Sequence, residues 1–139
     1  MIVVDTSVIT HLWIPTQFSD MSKELLRIDR DWISPFLWRS EFRNVIFKHL
    51  RKELLEKTKA LEVTGFAEEF MLHREYEVPS KEIISLGQTC KLSAYDCEFV
   101  CLAKLKGVKL ITLDKAIASE FPKVAHYLPE YLKQRSQSN

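Results

Sequence analysis

Along this chain, short continuous apolar runs alternate with stretches in which apolar residues recur every three to four positions. The first pattern is that of buried strands and the second that of amphipathic helices. Ile2-Val3-Val4 is a β-branched run that predicts a buried strand ending at Asp5, followed by a helix beginning near Ser7. Leu25, Leu26 and Ile28 predict a helix from about Asp20 to Asp29, and Asp31-Trp32-Ile33-Ser34 a short strand closed by Pro35. Trp38, Phe42, Val45 and Ile46 form one stripe of a helix from Phe36 to about Arg51. A further helix is predicted from Leu54 to Met71 and a strand at Tyr76-Glu77-Val78, before Pro79. Ser80 reads as the N-cap of a helix reaching Cys90. Ser93-Ala94-Tyr95-Asp96 has the form of a capping box, opening a helix that ends at Gly107. Val108 to Leu113 is the clearest strand, followed by a short helix over Asp114 to Glu120 and a last strand at Val124 to Tyr127. Residues 1–133 read as one domain without repeat or linker, and Gln134 to Asn139 as a polar, frayed tail.

Strands that alternate with helices predict a parallel sheet covered on both faces. Right-handed crossovers make that a three-layer α/β/α sandwich. At 46% hydrophobic residues, a chain of 139 can bury a substantial core. Lys and Arg total 20 against 19 Asp and Glu, so charge gives no hint of a nucleic-acid partner; any such claim has to come from a site. No apolar run approaches the roughly 20 residues of a membrane span. The N-terminus lacks the basic segment of a signal peptide, so a cytoplasmic location is expected. Three cysteines without an export signal argue against a disulfide framework. Cys97 and Cys101 share a helix face, but no second pair completes a zinc site, and small buried core thiols are the expectation.

Two carboxylates occupy one structural context. Asp5 follows Ile2-Val3-Val4, and Asp114 follows Leu110-Ile111-Thr112-Leu113. Ligands of open parallel sheets bind beyond the carboxyl ends of the strands, which is where both acids stand. Thr6 and Ser7 accompany the first, Thr112 the second. Either Asp alone could equally cap the helix that follows it. Asp96 opens the apolar face of its helix, with Phe99, Val100 and Ala103 at i+3, i+4 and i+7. A carboxylate so placed needs a cation or strong hydrogen bonds, although capping at N3 accounts for it too. Glu41 flanks the apolar stripe of its helix beside Asn44 and Lys48, where an ordinary solvated acid is the default. Arg39, Arg43, Lys48, Arg51 and Lys52 form a local basic cluster able to meet phosphates, or simply an exposed face.

Val3-Val4-Asp5-Thr6-Ser7, Ser40-Glu41-Phe42-Arg43-Asn44, Ser93-Ala94-Tyr95-Asp96 and Thr112-Leu113-Asp114 resemble the four acidic motifs of PIN domains, in the family's order. Pro35 to Val45 is especially similar to the VapC-like toxin nucleases of bacterial toxin–antitoxin pairs. The resemblance spans the chain to about Tyr131. It implies a five-stranded parallel sheet in the order 3-2-1-4-5 and an acid cluster binding Mg²⁺ or Mn²⁺ that cleaves RNA. Asp5, Glu41, Asp96 and Asp114 would then be the metal ligands and catalytic acids, directly or through water. Thr6, Ser7, Asn44 and Thr112 would orient them, and Arg39, Arg43 and Lys48 would contact RNA. A homodimer, and a cognate antitoxin that holds it inactive, are also implied. The helix after Asp96 departs from the family pattern in carrying Cys97, Glu98 and Cys101; Glu98, two residues on, should point away from Asp96.

Other functions fit parts of this pattern. An RNA-processing nuclease without a toxin role would use the same acids. An aspartyl-phosphate phosphotransferase wants a second Asp two residues after the first, where Ser7 stands. A phosphoacceptor module wants an acidic pair at the first strand and a Lys after a later one, and only Lys115 is offered. A non-catalytic α/β interaction module would use the acids only as caps. His11, His49, His73 and His126 fall outside every motif, which disfavours a histidine-dependent ribonuclease mechanism.

Overall fold

The computed structural model describes residues 1–138. Its centre is β1 (Ile2–Val4), which pairs in parallel with β2 (Trp32–Pro35) on one side and β4 (Leu110–Thr112) on the other. With β3 (Glu75–Tyr76) outside β2 and β5 (Ala125–Tyr127) outside β4, the sheet is all-parallel in the order β3-β2-β1-β4-β5. Successive strand residues point to opposite faces, and β1 shows why its sequence is continuously apolar. Ile2 and Val4 pack into one cluster with α1 (Thr6–Trp13), α2 (Ser19–Ile28), α3 (Leu37–Arg51), α4 (Lys57–Met71) and α8 (Leu128–Ser138). Val3 packs into a second with α5 (Ser80–Gly87), α6 (Ala94–Lys106) and α7 (Lys115–Glu120). These are the three layers that the alternation predicts.

Local chemistry sets the helix ends. Asp5 caps α1 by accepting from Val8 N, Ser93 caps α6 by accepting from Asp96 N, and Asp114 caps α7 by accepting from Ala116 N. Gly107 closes α6 at φ 65°, a left-handed value that a side chain would strain. Several elements differ from the sequence reading. β3 lies earlier than Tyr76-Glu77-Val78, because His73, at φ 66°, turns the chain directly out of α4 and Arg74 O meets Ser34 N at 3.1 Å. α4 starts at Lys57 rather than Leu54, and the turn before it includes Glu53 at φ 58°. α5 stops at Gly87 because both the backbone and the hydroxyl of Thr89 bond back to Leu86 O. Pro79, not Ser80, holds its N-cap position, without a side-chain bond.

The polar tail expected from Gln134 is instead the second half of α8, as far as Ser138; Asn139 lies outside the described residues. Leu128 and Tyr131 anchor that helix in the core, and Arg135 Nη1 donates to the Tyr131 hydroxyl one turn away at 3.3 Å. The expected boundary at residue 133 therefore falls inside a helix. Among the described residues no helix is long and apolar enough to cross a membrane. All three cysteines are free thiols, Cys97 and Cys101 buried and Cys90 partly exposed.

Candidate active site

β1 and β4 run side by side and end together, so the residues that follow them meet at one edge of the sheet. Asp5 N donates to Ile111 O at 3.2 Å, which ties the first acid to β4. The Asp5 side chain is buried, at 6% exposure, and is surrounded by donors. Its Oδ1 accepts from the Ser7 hydroxyl and from Val8 N at 3.3 Å, and its Oδ2 accepts from the Thr112 hydroxyl. Thr112 Oγ1 in turn accepts from Asp114 N at 2.9 Å, and Ser7 Oγ accepts from Leu113 N at 3.3 Å. The hydroxyls flagged in the sequence thus bridge the two strand ends.

Glu41 reaches the same edge from α3. Thr6 Oγ1 donates to its Oε1 at 2.6 Å, so the residue after Asp5 positions the acid of another helix. Asp96 sits in the first turn of α6, where Ser93 Oγ accepts from its backbone N at 3.1 Å. Asp114 is exposed at the start of α7.

Electrostatics link the four. Burial pushes the Asp5 carboxyl from an ordinary 3.8 up to about 6, although the Ser7, Thr112 and Val8 hydrogen bonds pull the other way; the Glu41 charge adds to the rise. Burial also raises Glu41, offset by Thr6 and reinforced by the charge of Asp96. Asp96 is raised by burial first and then by the charge of Asp114, with Ser93 opposing. Each acid thus feels the next, in the sequence Asp5, Glu41, Asp96, Asp114. Glu98 extends this field, raised by burial and then by the charge of Glu41. Its spacing of two residues from Asp96 predicts only that it points away from that acid. Helix periodicity places Glu98 only relative to its own helix, and the Glu41 charge that acts on it comes from a different element.

None of the ion pairs among the described residues involves Asp5, Glu41, Asp96 or Asp114. A buried carboxylate among like charges, held only by hydroxyls and an amide, is short of positive charge. Hard oxygen donors with that shortage suit Mg²⁺ or Mn²⁺. The fit is one of donor chemistry. Among the described residues no three His, Cys, Asp or Glu side chains close on one point that would grip an ion as they stand.

The basic cluster divides. Arg39, expected to face RNA, is bound to two carboxylates instead. Its Nε and Nη2 donate to Glu75 at 2.5 and 2.9 Å, and its Nη1 to Glu68 at 3.0 Å. Glu75 is nearly sealed, at 3% side-chain exposure, and takes a further bond from Trp38 Nε1 at 2.8 Å. Burial would raise the Glu75 carboxyl, but Arg39 and Trp38 together hold it below its usual value. Arg39 therefore fastens α3 to β3 and α4. Arg43 is half-exposed, 3.8 Å from Glu68. Lys48 lines a cleft of about 410 Å³ between α1 and α3, together with Thr6, Ser7, Glu41 and Asn44. Asn44 stands exposed in that cleft beside Glu41.

The chain and its fold have known relatives. The chain is 30% identical over 125 residues to Ribonuclease VapC3 of Pyrobaculum aerophilum, an alignment that covers 87% of this chain and 95% of the relative. Its fold matches the crystal structure of PAE2754 from Pyrobaculum aerophilum with a TM-score of 0.76 at 18% identity, over 98% of this chain and 96% of that one. It matches FitAcB from Neisseria gonorrhoeae with a TM-score of 0.68 at 17% identity, over 91% and 97%. FitAB bound to the IR36 DNA fragment matches with a TM-score of 0.66 at 16% identity, over 91% and 94%. At such identities these three structures speak for the fold alone. Residues 2–126 match the PIN domain, and the chain belongs to the PIN-domain family.

Proposed function

We propose that this protein is a divalent-metal-dependent endoribonuclease that hydrolyses RNA phosphodiester bonds, and the toxin of a toxin–antitoxin pair. The observation that carries the reading is Asp5: a buried carboxylate held by the Ser7 and Thr112 hydroxyls and Val8 N, in no ion pair among the described residues, and raised further by the charge of Glu41. Family membership and 30% identity to a protein named a ribonuclease support the same chemistry.

Asp5, Glu41, Asp96 and Asp114 are the residues that would hold the metal. Bound there, Mg²⁺ or Mn²⁺ supplies Lewis acidity, which polarises a phosphodiester and acidifies a water. The chain's own groups do the positioning. Ser7 and Thr112 fix the two oxygens of Asp5, and Thr6 fixes Oε1 of Glu41, leaving Oε2 to accept a proton from the attacking water. Lys48 and Arg43 offer positive charge to phosphates along the α1–α3 cleft, while Arg39 supports the helix that carries them. The partners of this reading are an RNA substrate, a second copy of the chain and a cognate antitoxin.

The test is cleavage of single-stranded RNA by the purified chain in Mg²⁺ or Mn²⁺. Activity should vanish on chelation and in Asp5→Asn, with the variant still folded by circular dichroism. Cleavage that persists in chelator, or in Asp5→Asn, would overturn it.

A further inference from the structure

The sequence pairs Cys97 with Cys101 on one helix face, but the fold brings a different thiol to Cys97. Cys90 lies in the bend between α5 and α6, partly exposed, and its sulfur stands 3.6 Å from that of Cys97. Cys97 is fully buried in the first turn of α6, directly after Asp96. Two sulfurs at that separation are in van der Waals contact. A disulfide bond requires about 2.05 Å, so closure needs an approach of roughly 1.5 Å.

The two ends differ in their freedom to supply it. Cys97 is packed among Val3, Ile33 and Val100 in the core beneath the sheet. Cys90 belongs to a short irregular segment after α5, held by Thr89 bonding back to Leu86 O at 2.8 Å and by Lys91 N donating to Glu120 Oε1 at 3.0 Å. Of the two thiols, Cys90 is the one that lies outside the helices and reaches the surface.

We propose that Cys90 and Cys97 are an oxidisable pair, a disulfide-forming modification site that closes across the N-terminus of α6. A small-molecule disulfide is the oxidant. The Cys90 thiolate attacks one of its sulfurs, forming a mixed disulfide and expelling one thiolate, which takes up a proton. Cys97 Sγ then attacks Cys90 Sγ, and the second small thiolate leaves with the Cys97 proton. Two protein thiols are oxidised and one small disulfide is reduced to two thiols. Cys90 makes the first attack because it is the partly exposed partner.

The bond would be felt at the acid cluster. The segment it closes contains Ser93, whose hydroxyl caps Asp96 N, and Asp96 itself. Its Lys91 contact reaches Glu120 at the end of α7, the helix that Asp114 caps. Two of the four acids therefore stand on elements joined to that segment.

The experiment uses the full-length chain incubated with oxidised glutathione, quenched in acid, alkylated and mapped as peptides without reduction. A Cys90–Cys97 linked peptide, lighter by two hydrogens than its free halves, is expected in the native chain and in Cys101→Ser. It should be absent in Cys90→Ser and lost on adding dithiothreitol. Amide exchange over residues 93–97 should change on oxidation in the native chain and not in Cys90→Ser. Glutathione resting on Cys90 without a cross-link, or a cross-link that forms only in denaturant, would overturn the proposal. The readouts are mass and exchange, so the result is independent of whether the protein cleaves RNA.

Discussion

The Thr112 hydroxyl donates to Asp5 Oδ2 and accepts from Asp114 N at 2.9 Å, so one side chain couples acids that stand at the ends of adjacent strands. Thr112 is fully buried, as is most of Asp5. Thr112→Val keeps the shape and removes both bonds, leaving a buried carboxylate oxygen and an amide unpaired. The expected cost is about 2–4 kcal/mol of folding stability. Thr112→Ser should recover most of it. Urea unfolding of the three proteins checks this, and a Val variant as stable as the native chain would show that the bridge contributes nothing.

The raised Asp5 carboxyl makes stability depend on pH in a definite direction. In the fold Asp5 titrates at about 6 against an ordinary 3.8, so between those values the folded state binds more protons than the unfolded one. Stability of the metal-free chain therefore falls as pH rises from about 4 to about 6 and stays lower above that window. Glu41 and Asp96 are shifted the same way and add to the fall. A shift of about two units corresponds to roughly 3 kcal/mol as an upper bound for Asp5. In chelator at pH 8, Asp5→Asn should melt several degrees above the native chain, and at pH 4 the two should coincide. Adding Mg²⁺ at pH 8 should raise the native midpoint and leave that of Asp5→Asn nearly unchanged. An Asn variant that melts lower than the native chain at pH 8 in chelator would contradict the account.

Arg39 and Lys48 lie nine positions apart on α3 and should fail in opposite ways. Removing Arg39 strands Glu75, which is almost sealed from water, so Arg39→Ala should cost about 3 kcal/mol or more. Arg39→Lys should recover only part, since a single ammonium cannot replace the two-pronged contact. Lys48→Ala should leave stability within about 0.5 kcal/mol. It should nevertheless weaken RNA binding and reduce the salt dependence by roughly one counterion. Parallel melting curves and binding titrations of Asp5→Asn-inactivated protein across salt concentrations separate the two roles.

These contrasts mark where sequence reading reaches its limit. Asp5 and Asp114 stand out because a strand's end is a local property: the apolar run stops and the acid follows. Asp96 stands out because helical periodicity shows which face it opens. Glu41 has no such signal, since it flanks its stripe as a solvated acid would; it entered through the motif resemblance. Arg39 held by Glu75 and Cys90 against Cys97 both depend on where separate elements meet, which no local pattern carries. α8 escaped notice for another reason. Gln134 onward is polar and reads as a tail, yet Leu128 with Tyr131 suffices to dock the helix that runs on to Ser138.

The last prediction concerns partners. Phe47 and Leu61, on α3 and α4, are 52% and 65% exposed, and Leu54 in the connection between those helices is 67% exposed. Several large apolar side chains left in water on one helical hairpin are unusual for a chain that works alone. Charge offers no competing explanation, because the chain carries only +1 overall and one copy has limited long-range grip on RNA. The expected state in solution is a homodimer that also binds a small antitoxin. Light scattering at micromolar concentration should give twice the mass of 16.3 kDa. Co-expression with the product of the adjacent open reading frame should relieve growth inhibition and co-purify with the chain. Phe47→Ser with Leu61→Ser should weaken one of these associations while leaving the melting temperature within a few degrees. A monomer that is harmless alone and indifferent to its genomic neighbour would defeat the toxin reading, and metal-dependent cleavage of RNA by that monomer would still stand as the chain's activity.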